Sequence, residues 1–272
     1  MNKFIRYIIK LAAFLTFVII FFIVGYILIR GIPNLKPSLF EIKYTSDNVS
    51  LFPAIITTIM IVFLTLIIAT PIGVFTGFYL IEYAKKGNKL VEIIRITTET
   101  LSGIPSIVFG LFGMLFFVIR LGFQYSLIAG TLTAAIMVLP LIIRSTEEAL
   151  LSVDDSLREA SFGLGAGKLR TIFKIVLPVA MPGILSGVIL SIGRIVGETA
   201  ALMYTLGTVA KIPNGLFSSG RTLSLHMYLL STEGIHVNES YGTGVILLIL
   251  VLIINGLSTY LSNKLGKGGY NE

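Results

Sequence analysis

The sequence predicts an all-α polytopic membrane protein with six transmembrane helices and both the N- and C-termini cytoplasmic. Three observations predict it. Of 272 residues, 55% are hydrophobic and 13% charged, against about 25% charged in a typical soluble domain. The apolar residues gather in runs close to the ~20 residues that cross a ~30 Å hydrocarbon core as a helix. Lysine and arginine are also unevenly placed. Of the 21, fourteen fall on segments that this layout puts inside, six outside, and Arg194 lies within a span. The net charge of +7 is therefore explained by cytoplasmic loops and calls for no nucleic acid. Cysteine is absent, which excludes disulfides, thiolate metal sites and thiol nucleophiles.

The first apolar run, residues 8–29, follows Lys3, Arg6 and Lys10. It exceeds the roughly 7–15-residue core of a signal peptide and no A-x-A site follows. It is read as a retained helix, peripheral to a core at 53–265 within a single domain, 1–272. Residues 31–51 form a polar outer loop, and a second helix spans Pro53 to Tyr83. Pro71 permits a bend there, and Gly73 with Gly77 permits close approach of another helix. Lys85, Lys86, Lys89 and Arg95 mark an inner loop. Helix three is expected over Ile96–Ile119 and helix four over Ser126–Ile143, with Pro140 near its inner end. An inner loop, Arg144–Lys174, leads to helix five at Ile175–Leu206. An outer loop follows over Gly207–Ser240, then helix six at Tyr241–Leu261 and an inner tail from Ser262.

The inner loop carries the most specific pattern. Ser152 with Asp155 has capping-box spacing and opens a helix predicted over Val153–Phe162, with acids at the positive end of its dipole. Gly163, Gly165 and Gly167 stop it. Leu157, Ala160, Ser161 and Leu164 recur at helical spacing and form a small, fairly apolar face. Such a face suits a groove on a partner. An ordinary solvated loop with an interfacial helix fits the periodicity alone. The nearby Gly163–Lys168 run is not a phosphate-binding P-loop, because Phe162 stands where glycine is needed and Leu169 where Ser or Thr is needed.

Arg194 and Glu198 are four apart within predicted helix five and so would share one face. Charges at this depth must meet protein or water. Either they lock helix packing as an internal pair, or they line a pathway with Thr199, Arg194 offering a fork of donors to an oxyanion. Gly193 with Gly197, and Gly183 with Gly187, read as close-approach pairs. Glu99 lies either at an inner pathway mouth or at the interface. Glu233 and His236 have metal-ligand spacing, but no second such pair accompanies them, so no metal site is read. His226 and His236 both fall outside the predicted helices, so no membrane-embedded nucleophile–base pair is seen.

Glu159–Pro178 reads E-A-A-x3-G-x9-I-x-L-P with Ser161 in the third slot. This resembles the cytoplasmic loop of permease subunits of bacterial ABC importers. Pro105–Phe112 and Arg194–Ala201 resemble the phosphate-specific branch, the PstA-type permeases. The resemblance implies a type I ABC importer permease (MetI-like) architecture in the bacterial cytoplasmic membrane, with 152–178 as the coupling loop. It implies phosphate as the solute, and as partners a PstC-type permease subunit, two PstB-type ATPase subunits and an extracytoplasmic phosphate-binding protein. ATP and Mg would bind the ATPase partner, leaving no cofactor and no catalytic residue in this chain. Glu159, Ala160 and Gly165, with Leu157 and Leu164, would belong to the ATPase-docking loop. Ser161 departs from the pattern, small for small. Arg194, Glu198 and Thr199 would belong to the transport pathway. A permease for sulfate or molybdate and, from another class, an ion-coupled secondary carrier are the alternatives.

Overall fold

A computed structural model of the chain describes residues 3–85 and 87–267. Lys86, the first two residues and the tail from 268 lie outside the described residues. Five described helical stretches are long and apolar enough to cross a membrane: Ile5–Asn34, Phe52–Tyr83, Leu127–Leu151, Lys168–Gly197 and Val237–Tyr260. A sixth crossing exists only as a bent pair.

That bend is the main correction to the predicted order. Helix three is not one rod over Ile96–Ile119. Instead α3 (Lys89–Ser102) and α4 (Ser106–Gly113, continued by π-helical turns over Met114–Arg120) meet at 106°. The cause lies in Gly103-Ile104-Pro105. Proline offers no N–H to the turn before it and disfavours the α conformation at Ile104. α3 starts at Lys89, inside the segment read as a loop, with the Asn88 side chain accepting from Leu90 N at 3.0 Å.

α1 (Lys3–Gly31) leans on α11 (Val237–Lys267). A Cβ on Gly31 would overlap the Tyr241 carbonyl and Val245, and the Tyr26 and Tyr241 rings meet edge-on at 5.8 Å. The centre is α5 (Leu127–Leu151), clasped by α2 (Phe52–Phe78) and α8 (Leu177–Gly197). Lipid tails are as apolar as leucine, so helices associate here through close van der Waals fit. The glycines supply it. A Cβ on Gly73 would lie 2.6 Å from Ile142, one on Gly77 2.6 Å from Thr146, and one on Gly183 2.7 Å from Ala149. Gly187 meets Ser145 in the same way. Gly193 and Gly197, read as a third such pair, have nothing within 4 Å of a built Cβ.

Three further boundaries differ. α5 runs on to Leu151, past the predicted end at Ile143. Hydropathy marks where the apolar run stops, whereas the helix continues through residues whose inner face, Thr146, Ala149 and Leu150, stays buried. Helix five does not continue to Leu206. It rises from α7 (Lys168–Thr171) through a π-helical turn into α8 and stops at Gly197; a short α9 (Ala200–Met203) follows. The segment read in the sequence as an outer loop holds a further helix, α10 (Leu223–Glu233), with Leu223, Leu225, His226 and Leu230 buried. His226 is thus helical, contrary to its reading as a loop residue. α10 ends at Gly234, whose φ of +74° is the left-handed stop that glycine tolerates.

Candidate functional site

Beyond the end of α5 a short helix, α6 (Asp155–Gly163), projects from the bundle. Its start differs from the capping box read in the sequence. Ser152 donates instead to Ala149 O at 2.7 Å, closing α5. Asp154 is the cap, accepting from Ser156 N at 2.8 Å. That backbone N–H, then the Ser156 side chain, holds the Asp154 carboxyl below its usual range. The stop is as read: Gly165 has φ +80° with open space around it.

α6 presents most of the face expected of it. Leu164 is 90% exposed and Leu157 40%, and Phe162 beside them is also exposed. Glu159 and Ala160 are exposed too. Ser161 departs from this face. It is buried, and its hydroxyl lies 2.8 Å from that of Thr171 at the foot of α8. One turn cannot turn every residue outward, and the small hydroxyl takes the inward slot.

Arg158 fastens α6 to the bundle. Its Nη2 donates to Glu82 Oε1 at 3.0 Å and to Leu150 O at 2.9 Å. Its Nε reaches the same Glu82 oxygen at 3.2 Å, and its Nη1 donates to Val153 O at 2.8 Å and to Asp155 Oδ1 at 3.0 Å. Lys168 adds a bond to the Glu82 carbonyl and sits 4.7 Å from the Tyr83 ring centroid. One guanidinium thus bridges α6, the π-helical turn Tyr79–Tyr83 that continues α2, and the end of α5. This clamp was missed in the sequence, because Glu82 and Arg158 are distant in the chain and fold together only in three dimensions.

The second feature is a pair of clefts beside α8. One, of about 520 Å³, is lined by Arg95, Glu99, Ser102, Arg144, Glu147 and Arg194, among others. The other, about 730 Å³, includes Leu141, Ser186, Gly193, Arg194 and Asn255. Arg194 borders both. Arg95 pairs with Glu147 at 3.2 Å and Arg144 with Glu148 at 3.0 Å. Among the ion pairs found in the described residues none includes Arg194. Glu99, left between two places by the sequence, lines this cleft. Arg144 and Arg95 were read only as topology markers.

The expected shared face of Arg194 and Glu198 is not formed. The helix ends at Gly197, and Glu198 turns to an extended conformation. Its carboxylate is buried and accepts from Ala201 N at 3.0 Å, capping α9. Thr199 sits half-buried in the break. The i,i+4 argument assumed an unbroken helix, and the break parts the two residues.

A family model described as "Binding-protein-dependent transport system inner membrane component" matches residues 69–267. The chain is 33% identical over 261 residues to the "Probable ABC transporter permease protein YqgI" of Bacillus subtilis (strain 168), covering 89% of this chain and 88% of that protein. It is 39% identical over 192 residues to the "Phosphate transport system permease protein PstA 1" of Mycobacterium tuberculosis (strain ATCC 25618 / H37Rv), covering 70% of this chain and 62% of that protein. A chain of a solved bacterial alginate ABC transporter, in complex with an alginate pentasaccharide-bound periplasmic protein, matches with a TM-score of 0.65 at 16% identity, covering 97% of this chain and 98% of that one. That likeness concerns the fold alone. With its crossing helices, its projecting α6 and these matches, the chain belongs to the family of binding-protein-dependent transport system inner membrane components, the membrane-spanning permeases of ABC importers.

Proposed function

We propose that the chain is the PstA-type permease subunit of a phosphate importer in the bacterial cytoplasmic membrane, with both termini and α6 on the cytoplasmic side. Its partners are a PstC-type permease, two PstB-type ATPase subunits and an extracytoplasmic phosphate-binding protein. ATP and Mg bind the ATPase subunits; this chain supplies no ATPase site.

The observation that carries the reading is the presentation of α6. Glu159, Ala160, Leu157, Leu164 and Gly165 stand free of the bundle, while Ser161 and Arg158 tie the same helix down. An element exposed on one face and fastened on the other transmits force. Closure of the ATPase pair moves α6, and the Arg158 fork passes that movement to the ends of α2 and α5. α2, α5 and α8 interlock through their glycines, so they move together, and access to the clefts alternates.

Arg194 serves the solute. An unpaired guanidinium facing a cleft offers donors to a phosphate oxygen without first breaking an ion pair. Glu198 and Thr199 shape the break beside it. Glu198 acts as the cap of α9 and does not neutralise Arg194.

Reconstitution of all subunits in liposomes tests this. Labelled phosphate should enter only with ATP and all partners, with sulfate and molybdate failing to compete. The isolated chain should move nothing. Uptake of phosphate by the chain alone on a sodium or proton gradient would reject the reading.

A further inference from the structure

At the end opposite α6, four buried polar atoms make no hydrogen bond of good geometry among the described residues. They are Arg221 Nε and Nη2 and both ring nitrogens of His226. Arg221 is 6% exposed and His226 0%. The two flank one ring: the Arg221 guanidinium carbon is 4.7 Å from the Tyr44 centroid, and the imidazole meets Tyr44 edge-on at 6.1 Å. Among the described residues no carboxylate lies within ion-pair distance of Arg221. A buried charge without a partner is expensive, and the cation–π contact with Tyr44 leaves both N–H donors unused.

The free donors have a particular geometry. The Nε and Nη2 hydrogens of arginine point the same way and form the edge that grips two oxygens of one oxyanion. Arg221 also stands directly before α10. The Thr222 side chain makes no cap bond there, and Leu223 N is the first-turn donor taken up by Thr58 Oγ1, at 2.9 Å. The positive end of an 11-residue helix therefore lies beside the guanidinium. His226 adds an acceptor. Burial, then the Arg221 charge, pushes its pKa down to about 3 against a smaller opposing pull from the Val49 backbone beside the ring, so near pH 7 one ring nitrogen donates, towards Val49, and the other is left to accept. Ser224, in the same first turn, donates to Glu198 O at 2.7 Å and joins this place to the break after α8.

We propose that Arg221, His226 and the first turn of α10 form an outer binding site for hydrogenphosphate, adjoining the Glu198 break on the side away from α6. The guanidinium edge holds two unprotonated oxygens, and the neutral imidazole accepts from the P–OH. Sulfate carries no proton at neutral pH, so it would set an oxygen lone pair against that acceptor. Tyr44 covers the site. The proposal rests on the phosphate reading above and places a second station on the same route.

The test uses the assembled transporter in lipid nanodiscs, without nucleotide or binding protein, and inorganic phosphate as the probe. Equilibrium binding of labelled phosphate and phosphate-dependent thermal stabilisation are both read. The wild type should bind phosphate and be stabilised by it, and sulfate should do neither. Arg221→Met should lose one phosphate per complex and the stabilisation. Arg221→Lys, a point charge without the fork, should bind about tenfold more weakly. His226→Phe keeps the ring packing while deleting both nitrogens, so it keeps the test open if Arg221→Met fails to assemble; it should weaken phosphate about tenfold. Unchanged phosphate binding in assembled Arg221→Met or His226→Phe overturns the site. So does a wild-type complex that imports phosphate yet binds none at rest, which would mean that water alone satisfies these atoms. A wild-type complex that imports no phosphate rejects the functional reading itself.

Discussion

Arg158 of α6 and Glu82, on the π-helical turn Tyr79–Tyr83 that continues α2, form an ion pair between the projecting helix and the bundle, with Nη2 3.0 Å and Nε 3.2 Å from one carboxylate oxygen. Both side chains are mostly buried, 14% and 9% exposed. Removing one partner of such a pair leaves the other charge stranded, at about 3–5 kcal/mol. Arg158→Ala is therefore expected to destabilise α6 by about 3 kcal/mol. More tellingly, it should leave ATP hydrolysis by the complex running while phosphate uptake falls at least tenfold. Arg158→Lys should restore part of the coupling, since one bond to Glu82 survives. The ratio of phosphate moved to ATP hydrolysed, measured in liposomes, checks this.

The glycines after α6 should behave differently from one another. Gly165 adopts φ +80°, and an L-residue held there costs about 1–2 kcal/mol. Gly167 lies at φ −73° and ψ 159°, open to any residue. Gly165→Ala should impair assembly with the ATPase, and Gly167→Ala should not. Co-purification of the ATPase with each variant is the measurement.

A similar contrast holds within α8. Gly183 has no room for a side chain against Ala149, whereas Gly193 has open space. Gly183→Val should lower stability by about 1–3 kcal/mol through overpacking. Gly193→Ala should leave thermal unfolding in detergent unchanged or slightly improved.

Arg194 and Glu198 should separate in function because they are not a pair. Arg194→Ala should abolish uptake. Glu198→Gln keeps an oxygen to accept from Ala201 N and should retain most of it, whereas Glu198→Ala loses the cap of α9, worth about 1 kcal/mol. Replacing both by apolar residues should not rescue transport. Recovery of uptake in the double variant would show that the two compensate for one another after all.

His226 gives a pH signature. Its folded pKa is about 3, below the ordinary value of 6.5. Between these values the unfolded chain binds a proton that the folded one excludes, so stability is full above pH 6.5 and declines as pH falls towards 3. His226→Phe should flatten this slope in thermal unfolding measured across that range.

Much of this architecture was legible from composition. The spans at Phe52–Tyr83 and Leu127–Leu151 announce themselves as apolar runs, and α6 announces itself by acids before it and glycines after it. What escaped depends on breaks and on tertiary contact. Averaged hydropathy carries smoothly across Gly103-Ile104-Pro105 and across Gly197-Glu198, where the backbone turns. The spacing of Arg194 and Glu198 misled for that reason. Ser161 could not be told from its exposed neighbours, because its orientation depends on Thr171 at the far side of a turn. Arg144, counted as a loop charge, sits on a helix beside the Arg194 cleft. The Arg221–His226–Tyr44 cluster brings together residues from two segments far apart in the chain, and no local pattern marks it.

The absence of cysteine allows a direct test of the central claim, that α6 is the handle by which a separate ATPase drives this chain. Leu164→Cys places one thiol at an almost fully exposed point of that turn. In the assembled complex a short thiol-reactive cross-linker should join it to the ATPase subunit, with a yield that changes when ATP is trapped. A Leu164→Cys complex that imports phosphate normally, yet yields no cross-link to the ATPase in any nucleotide state, would contradict the account.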